Sequence, residues 1–332
     1  MPGVLLFCGH GKSTLHFYSY TKQMSIVLIS QGRDLTPWVE AINSELPDLD
    51  VQVYPDIKAK EDVTFAISWN HPLGAFKEFP NLKCIASMGA GVDHILKDPN
   101  LPENVLVTRV TDEHLTNDMA TFTTAVVLNY MRGLCAYKAA EAEGAWQPKP
   151  YLRQQDLTVG VMGMGVLGAE AATQLKRLGF NVQGWARSHK NIEGIPVYAG
   201  TDELDYFLAT SNVLICLLPL TPQTANILNK ANLSKLPEGA YLINVARGEH
   251  LVEEDLLEML DKGYLAGASL DVFRTEPLPE EHPFWKHPKI DVTPHIASVT
   301  NPASAVKQIL ENYKRLMQNE PLTNLVSRTK GY

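Results

Sequence analysis

The sequence predicts an α/β protein with two doubly wound parallel sheets. Short apolar runs with the length of buried strands alternate with helical stretches along most of the chain, and strands joined by crossover helices pair in parallel. The chain has 332 residues, which is enough for two domains with cores of ordinary size. Hydrophobic residues make up 45% and charged residues 20%, which is typical of globular rather than disordered chains.

The chain begins with a segment that fits no element of such sheets. Residues 1–23 have a short apolar start, but they have neither the basic region nor a clear cleavage site of a secretion signal. We therefore expect residues 1–23 to be a leader or an upstream extension outside the fold. The fold itself is expected to begin at Met24.

The first sheet is predicted from five apolar runs that follow Met24. They cover residues 26–29, 51–54, 65–69, 84–88 and 105–108. A helix is expected over 36–46, with Thr36 as its N-cap and Pro37 in its first position. GAGVD at 89–93 follows the fourth run. Its small residues would expose N–H groups that can bind a carboxylate, although a plain turn fits equally well.

A long helical stretch then leads to the second sheet. Residues 115–143 are helical in propensity, with Asn117 or Asp118 as a possible cap, and a helix of this length often bridges two domains. Six further runs predict strands over 158–162, 181–186, 213–218, 241–246, 266–272 and 289–293. Helices are expected over 253–262 and 306–318, and the second of these should return to the first domain.

The turn after the first strand of the second sheet carries a GxGxxG motif. Gly163, Gly165 and Gly168 stand between a strand and a helix. The first glycine makes a tight turn, the second lets the backbone approach a pyrophosphate, and the third lets the helix pack on the strand. The helix N-terminus adds free N–H groups and a positive dipole end. An ordinary glycine-rich turn is the alternative, but this context favours a dinucleotide site.

The later strand ends of the second sheet carry the residues of a reactive site. Arg247 follows the fourth strand, Asp271 and Glu276 follow the fifth, and His295 follows the sixth, all at one edge of the sheet. Singly, His295 could be an ordinary loop histidine, Arg247 could pair with an acid at a helix start, and Glu276 could be solvated. Together they suit a substrate carboxylate held by Arg247, while His295 exchanges a proton and Glu276 orients the imidazole.

The end of the second strand indicates which dinucleotide binds. An NAD site usually has an acid there, about 20 residues beyond the glycines, for the ribose 2′-hydroxyl. This chain has Arg187 instead, 19 residues after Gly168, followed by Ser188, His189 and Lys190. Cations and a neutral hydroxyl favour a 2′-phosphate, so NADPH is expected to bind more tightly than NADH. A solvated basic turn is the alternative.

Four motifs together identify a family. They are GMGVLG at 163–168, NVARG at 244–248, LDVFRTEPLP at 270–279 and TPHIA at 293–297. With these motifs, the chain from Met24 onward resembles the D-isomer-specific 2-hydroxyacid dehydrogenases. GAGVD, AWQPKPY, and Trp185 with the ARSHK that follows it resemble the glyoxylate/hydroxypyruvate reductase branch of that family.

The resemblance implies an architecture and an activity. It implies two lobes around a cleft in a homodimer: a flavodoxin-like substrate lobe of residues 24–118 plus 297–332, and a Rossmann cofactor lobe of residues 119–296. The implied activity is NADPH-preferring reduction of glyoxylate to glycolate and of hydroxypyruvate to D-glycerate. A corepressor-like, dinucleotide-sensing binding module on the same fold is the alternative, as is a 2-hydroxyacid dehydrogenase of another substrate.

The resemblance also implies residue roles. His295 would be the proton donor supported by Glu276, Arg247 would hold the substrate carboxylate, and Asp271 would hold the nicotinamide carboxamide. The remaining implied substrate contacts are Trp69, Ala90, Gly91, Val92, Trp146 and Tyr151. The implied cofactor contacts are Gly163, Gly165, Val166, Leu167, Gly168, Arg187, Ser188, Lys190, Leu218, Pro219, Thr224, Val245, Ala246, Asp271 and His295.

Composition excludes several other classes of protein. The formal net charge of −8 argues against a general nucleic-acid or anionic-membrane surface. No apolar run approaches the roughly 18 residues of a membrane span. The four cysteines are scattered without a CxxC pair, which favours buried free thiols in a reducing, cytoplasmic compartment, and no metal site is expected.

Overall fold

Two parallel β-sheets organise the protein in the computed structural model, which describes residues 24–332. The expectation for residues 1–23 lies outside the described residues. No helix in the described part of the chain is both long enough and apolar enough to cross a membrane.

The first sheet has the five strands that the sequence predicts. They are β1 (Ser25–Ser30), β2 (Val51–Val53), β3 (Val63–Trp69), β4 (Cys84–Ser87) and β5 (Leu106–Thr108). All pair in parallel in the order β2-β1-β3-β4-β5, which is the flavodoxin-like order.

Helices cover both faces of this sheet. The strands are apolar on both faces because α1 (Thr36–Glu45) and α9 (Pro302–Gln318) pack on one side, while α2 (Asp93–Leu96) packs on the other. The return of α9 to this lobe is confirmed. The predicted N-cap is wrong: Thr36 is the first helical residue and Leu35 occupies the N-cap position, while the Asp34 carboxylate accepts the Thr36 N–H at 2.9 Å.

The second sheet has seven strands rather than the six predicted. They are β6 (Thr158–Met162), β7 (Asn181–Ala186), β8 (Val197–Ala199), β9 (Val213–Cys216), β10 (Tyr241–Asn244), β11 (Gly267–Leu270) and β12 (Ile290–Val292). Their order is β12-β11-β10-β9-β6-β7-β8, which contains the Rossmann arrangement. The missed strand, β8, is a half-buried edge strand of only three residues, which is shorter than the apolar runs from which the other strands are predicted.

The helices of this second lobe lie between its strands. They are α5 (Val166–Arg177), α6 (Leu204–Ala209), α7 (Lys230–Leu233) and α8 (Glu253–Asp261). Apolar clusters on the two faces of the sheet give this lobe a core of its own. The predicted α/β architecture of two parallel sheets is therefore confirmed, whereas the exact residue boundaries between lobes stay a prediction.

The prediction of one long helix over 115–143 is wrong. The stretch forms α3 (Glu113–Arg132) and α4 (Leu134–Ala142), separated by Gly133 in the left-handed region at φ 63°. The cap of α3 is Asp112, whose carboxylate accepts the Leu115 N–H at 2.7 Å, rather than Asn117 or Asp118. Helix α3 packs along α5, but α4 buries no side chain and projects from the second lobe.

Candidate active site

The reactive residues predicted from the sequence meet at the carboxyl edge of the second sheet. Arg247 follows β10, Glu276 follows β11 and His295 follows β12. Nδ1 of His295 lies 2.7 Å from Oε2 of Glu276, and the other carboxylate oxygen accepts the Phe273 N–H at 3.0 Å. Both side chains keep about a third of their surface exposed, at 35% for His295 and 36% for Glu276. The pair is therefore open to a ligand in the cleft.

Glu276 is ionised in this arrangement. Burial alone raises the pKa of the Glu276 carboxyl. The hydrogen bonds from His295 and from the Phe273 N–H, with the positive charges of His295 and Arg247, outweigh burial and hold this pKa below its ordinary value. A carboxylate accepts only, so Nδ1 of His295 carries the proton of this bond and Nε2 faces away from Glu276.

His295 is held in a backbone conformation that few residues adopt. Its φ is 54°, in the left-handed region, and its N–H donates to the Asp271 carbonyl at 2.9 Å. The Asp271 carboxylate, 1% exposed, accepts from the Thr293 hydroxyl at 2.6 Å and from the N–H groups of Ile296 and Ala297 at 2.9 and 2.8 Å. Asp271 therefore anchors the loop that carries His295. Its expected contact with the nicotinamide carboxamide stays a prediction.

Arg247 reaches from the second lobe to the loop after β4 in the first lobe. Its Nε donates to the Asp93 carboxylate at 3.0 Å, and Nη1 donates to the Ala246 carbonyl at 2.6 Å. A Cβ at Gly91 would lie 1.7 Å from Nη2 of Arg247, so a side chain there would displace the guanidinium from this position. Ala90, Gly91 and Arg247 thus form one half-buried surface between the lobes.

A buried network that sequence reasoning missed shapes this loop. His94 is 3% exposed, and its Nδ1 accepts the Asn70 N–H at 3.2 Å while Nε2 lies 3.1 Å from the Ser87 hydroxyl. The Ser87 hydroxyl donates to the Gly91 carbonyl at 2.7 Å. Burial lowers the pKa of His94 to about 3, with Asp93 opposing the shift, so the ring is neutral at physiological pH. In the sequence, the only indication of this network was the position of His94, directly after the GAGVD motif at 89–93.

Of the three predicted cleft aromatics, Trp69 lies beside this network. Its ring packs on the His94 ring at 4.5 Å, and the Arg33 guanidinium lies 4.9 Å from its centroid. Its Cζ3 atom would come within 2.9 Å of a Cβ at Gly89. Trp69 therefore borders the loop that faces Arg247.

The expectation that Trp146 and Tyr151 line the cleft is not met. Both belong to the arm, which we define as residues 134–153. Trp146 is 96% exposed, and Tyr151 is 59% exposed with the Arg132 guanidinium 4.7 Å from its ring. The arm leaves the body of the second lobe after Gly133, and this places both side chains outside the cleft.

The glycine turn fits a dinucleotide. Gly163 has φ 104°, and a Cβ there would lie 2.5 Å from the Leu217 carbonyl oxygen, so the tight turn requires glycine. A Cβ at Gly165 would have no other atom within 4 Å, so the backbone there is open to an approaching ligand. Helix α5 begins here without a side-chain cap, so its first N–H groups are available to a pyrophosphate. The residues present therefore match the group that the motif implies.

The remaining predicted cofactor contacts surround this turn. Leu218, Pro219 and Thr224 form the loop after β9, where the Thr224 hydroxyl donates to the Pro219 carbonyl at 2.7 Å. Val245 and Ala246 are buried directly after β10. The residues exposed on the turn after β7 are Arg187, Ser188, His189 and Lys190. Here His189 lies 3.6 Å from the Glu203 carboxylate, an acid that the sequence pattern did not place beside the turn.

Comparison with known proteins agrees with this geometry. The family model described as "D-isomer specific 2-hydroxyacid dehydrogenase, NAD binding domain" matches residues 124–297. A glyoxylate/hydroxypyruvate reductase A from Escherichia fergusonii is 40% identical over 93% of this chain and its own whole length.

Two solved structures are similar over the same extent. A D-isomer specific 2-hydroxyacid dehydrogenase from Xanthobacter autotrophicus Py2, in complex with NADPH and MES, has a TM-score of 0.89 at 39% identity. An NADPH-dependent glyoxylate/hydroxypyruvate reductase from Sinorhizobium meliloti, in complex with NADP and sulfate, has a TM-score of 0.88 at 36% identity. Each comparison covers 93% of this chain and 100% of the other. The chain is therefore an oxidoreductase of the D-isomer specific 2-hydroxyacid dehydrogenase family, in the branch that contains these glyoxylate/hydroxypyruvate reductases.

Proposed function

We propose that this protein reduces short 2-ketoacids with NADPH, converting glyoxylate to glycolate and hydroxypyruvate to D-glycerate. The observation that carries the proposal is the His295–Glu276 pair at 2.7 Å, in the lobe that also holds the glycine turn and Arg247. The names of the similar proteins from Escherichia fergusonii and Sinorhizobium meliloti support this substrate class and, for the second, this cofactor.

The residues have distinct tasks in the proposed reaction. Bound NADPH supplies the hydride that adds to the ketoacid C2. Nε2 of His295 donates a proton to the carbonyl oxygen, and the Glu276 carboxylate stabilises the charged imidazole from the other side. Arg247 binds the substrate carboxylate, helped by backbone N–H groups at Ala90–Val92. The buried His94–Ser87–Gly91 network keeps that loop in place.

Cofactor preference is proposed to come from the turn after β7. Arg187, Ser188 and Lys190 are exposed there and can donate to a 2′-phosphate. The nearby acid, Glu203, faces His189 and accepts the Ala199 N–H at 2.6 Å. It is therefore engaged away from Arg187, and the turn remains suited to an anion.

The arm supports a further part of the proposal, a cytoplasmic homodimer. It exposes large apolar side chains at Leu134, Tyr137, Trp146 and Tyr151, a set that a soluble monomer rarely presents together. A second copy of the chain is the partner that the family resemblance implies for this surface. Cys84 and Cys216 are buried free thiols, which agrees with a reducing compartment, whereas Cys135 is a free thiol that is exposed rather than buried as expected.

A substrate and cofactor panel tests the proposal. We expect NADPH absorbance to fall on addition of glyoxylate or hydroxypyruvate, faster than with phenylpyruvate, because Trp69 narrows the site. NADH should support slower turnover at equal concentration. Binding of NADPH without turnover of any 2-ketoacid would instead indicate the dinucleotide-sensing module, and faster turnover of phenylpyruvate would contradict the proposed substrate size.

A further inference from the structure

A residue of the first lobe touches the residue proposed to read the 2′-phosphate. The Arg187 guanidinium carbon lies 5.0 Å from the centroid of the Tyr332 ring, within the range of a cation–π contact. Arg187 belongs to the turn after β7 in the second lobe, whereas Tyr332 belongs to the segment that follows α9. Neither the motifs nor the periodicity of the sequence relates these two positions.

The segment after α9 is attached firmly to the first lobe. Leu325 forms an antiparallel bridge with Thr108 at the end of β5, and the Val326 N–H donates to the Val107 carbonyl at 2.8 Å. Nη2 of Arg328 donates to the Pro102 carbonyl at 2.7 Å. This part of the segment is therefore an extension of the first sheet edge.

Beyond that anchor the segment folds back on itself toward the second lobe. The Gly331 N–H donates to the Ser327 carbonyl at 2.9 Å, and the Ser327 N–H donates to a main-chain oxygen of Tyr332 at 3.2 Å. The backbone at Gly331 lies against Thr221 of the loop after β9, since a Cβ there would be 2.9 Å from the threonine methyl group. The segment thus contacts two loops of the second lobe, those after β7 and β9.

A cation–π contact leaves Arg187 able to bind a phosphate. When an aromatic ring contacts the face of a guanidinium, the edge that carries the N–H donors stays free for a phosphate. Arg187 is exposed, and no carboxylate among residues 24–332 lies within ion-pair distance of it. The Tyr332 ring therefore limits the rotamers of an otherwise free side chain without occupying its donors.

We propose that Tyr332 is a positioning residue for cofactor specificity, which holds the Arg187 guanidinium with its edge toward the 2′-phosphate of NADPH. The inference rests on the proposed role of Arg187. A side chain ordered before binding loses less conformational entropy when the phosphate arrives, so the contact favours NADPH over NADH. The first lobe then contributes to cofactor choice through its last segment.

The test compares Tyr332→Ala with Tyr332→Phe, which keeps the ring. We expect Tyr332→Ala to raise the Kd for NADPH by about two- to fivefold, the size of an exposed cation–π contact, with little change for NADH. Tyr332→Phe should stay near the parent. Tyr332→Ala should likewise weaken the binding of 2′,5′-ADP but not of 5′-AMP, two ligands that report the 2′-phosphate without the nicotinamide. In steady-state kinetics, the change should appear in KM for NADPH rather than in kcat.

Arg187→Ala separates the possible failures. If Arg187→Ala leaves the NADPH to NADH ratio of Kd values unchanged, the proposed phosphate-reading role itself is wrong. If Arg187→Ala lowers the preference but Tyr332→Ala does not, only the positioning role is overturned. If Tyr332→Ala weakens the binding of NADPH and NADH equally, Tyr332 has a structural role instead. If Tyr332→Ala binds NADPH more tightly, the ring obstructs the site. In the Arg187→Ala background, Tyr332→Ala should have no further effect.

Discussion

The two ends of the cofactor lobe are built in different ways. At the catalytic end, His295 is fixed by Glu276 and by the loop that the buried Asp271 carboxylate holds with three hydrogen bonds. At the phosphate end, Arg187 is exposed on a turn and has a cation–π contact with Tyr332 from the other lobe. Proton transfer needs a group placed within a few tenths of an ångström, whereas an anion is attracted over a longer range.

This difference predicts a gradient of mutational effects. Changes at the catalytic end should disable turnover, because no other side chain can take the position of the proton donor. Changes at the phosphate end should alter which cofactor is used while turnover continues. A third region, the buried His94 network of the first lobe, should respond in stability and substrate binding.

The largest effect is expected for His295→Ala. Removal of the proton donor should lower kcat by about 100- to 10,000-fold, the usual range for a general acid, while NADPH binding is largely kept. The matched control is His287→Ala, because His287 also faces a carboxylate, Asp261 at 3.5 Å, but at the opposite end of β12. Steady-state reduction of glyoxylate measures both. Near-parental turnover in His295→Ala would contradict the proposed mechanism.

Glu276→Gln should have a smaller effect at the same end. Loss of one charge-assisted hydrogen bond corresponds to about 10- to 150-fold in kcat. The charged imidazole is no longer stabilised, so the alkaline limb of the pH profile for reduction should move to lower pH. In the parent, protonation of Glu276 should lower kcat only below about pH 4.3, the ordinary pKa of a glutamate, since the folded protein holds the pKa of Glu276 lower. A profile that keeps its position would mean that Glu276 does not act through His295.

Arg187→Asp tests the phosphate end. One charge-assisted hydrogen bond contributes about 1.5–3 kcal/mol, which is a 10- to 150-fold preference at about 1.4 kcal/mol per tenfold. We expect kcat/KM for NADPH to fall by about that factor, while kcat/KM for NADH is largely retained. Both cofactors should be measured at one salt concentration, because the contact is exposed and screened. An unchanged preference would show that the 2′-phosphate lies elsewhere.

His94→Asn should give the smallest effect on activity and a distinct effect on stability. The parent ring stays neutral when folded, with its pKa near 3, but it binds a proton in the unfolded chain below about pH 6.5. The parent should therefore lose about 1.6 kcal/mol more than His94→Asn between pH 6.5 and 5, by linkage. Urea unfolding at several pH values measures the slope of the unfolding free energy against pH. The exposed His114→Asn is the control and should keep the parental slope.

Much of this protein was predictable from local sequence. A buried strand is an apolar run, and a glycine turn before a helix is a fixed spacing, so the dinucleotide motif and all but one strand of the two sheets could be identified. Arg247, Glu276 and His295 could be grouped from their positions in the chain, because the carboxyl ends of parallel strands meet at one edge. The short edge strand β8 and the break at Gly133 escaped because neither changes the average apolar or helical character of its segment.

The tertiary structure alone decided the contacts between distant residues. Arg247 pairs with Asp93 across 154 positions, and Arg187 has a cation–π contact with Tyr332 from the other lobe, so no local spacing links the partners. Trp146 resembled a cleft residue by its motif, but the direction of the arm places it outside the cleft. Sequence periodicity determines which face of an element is buried. Which side chains meet between lobes depends on how the two sheets pack together, and that is a property of the whole chain.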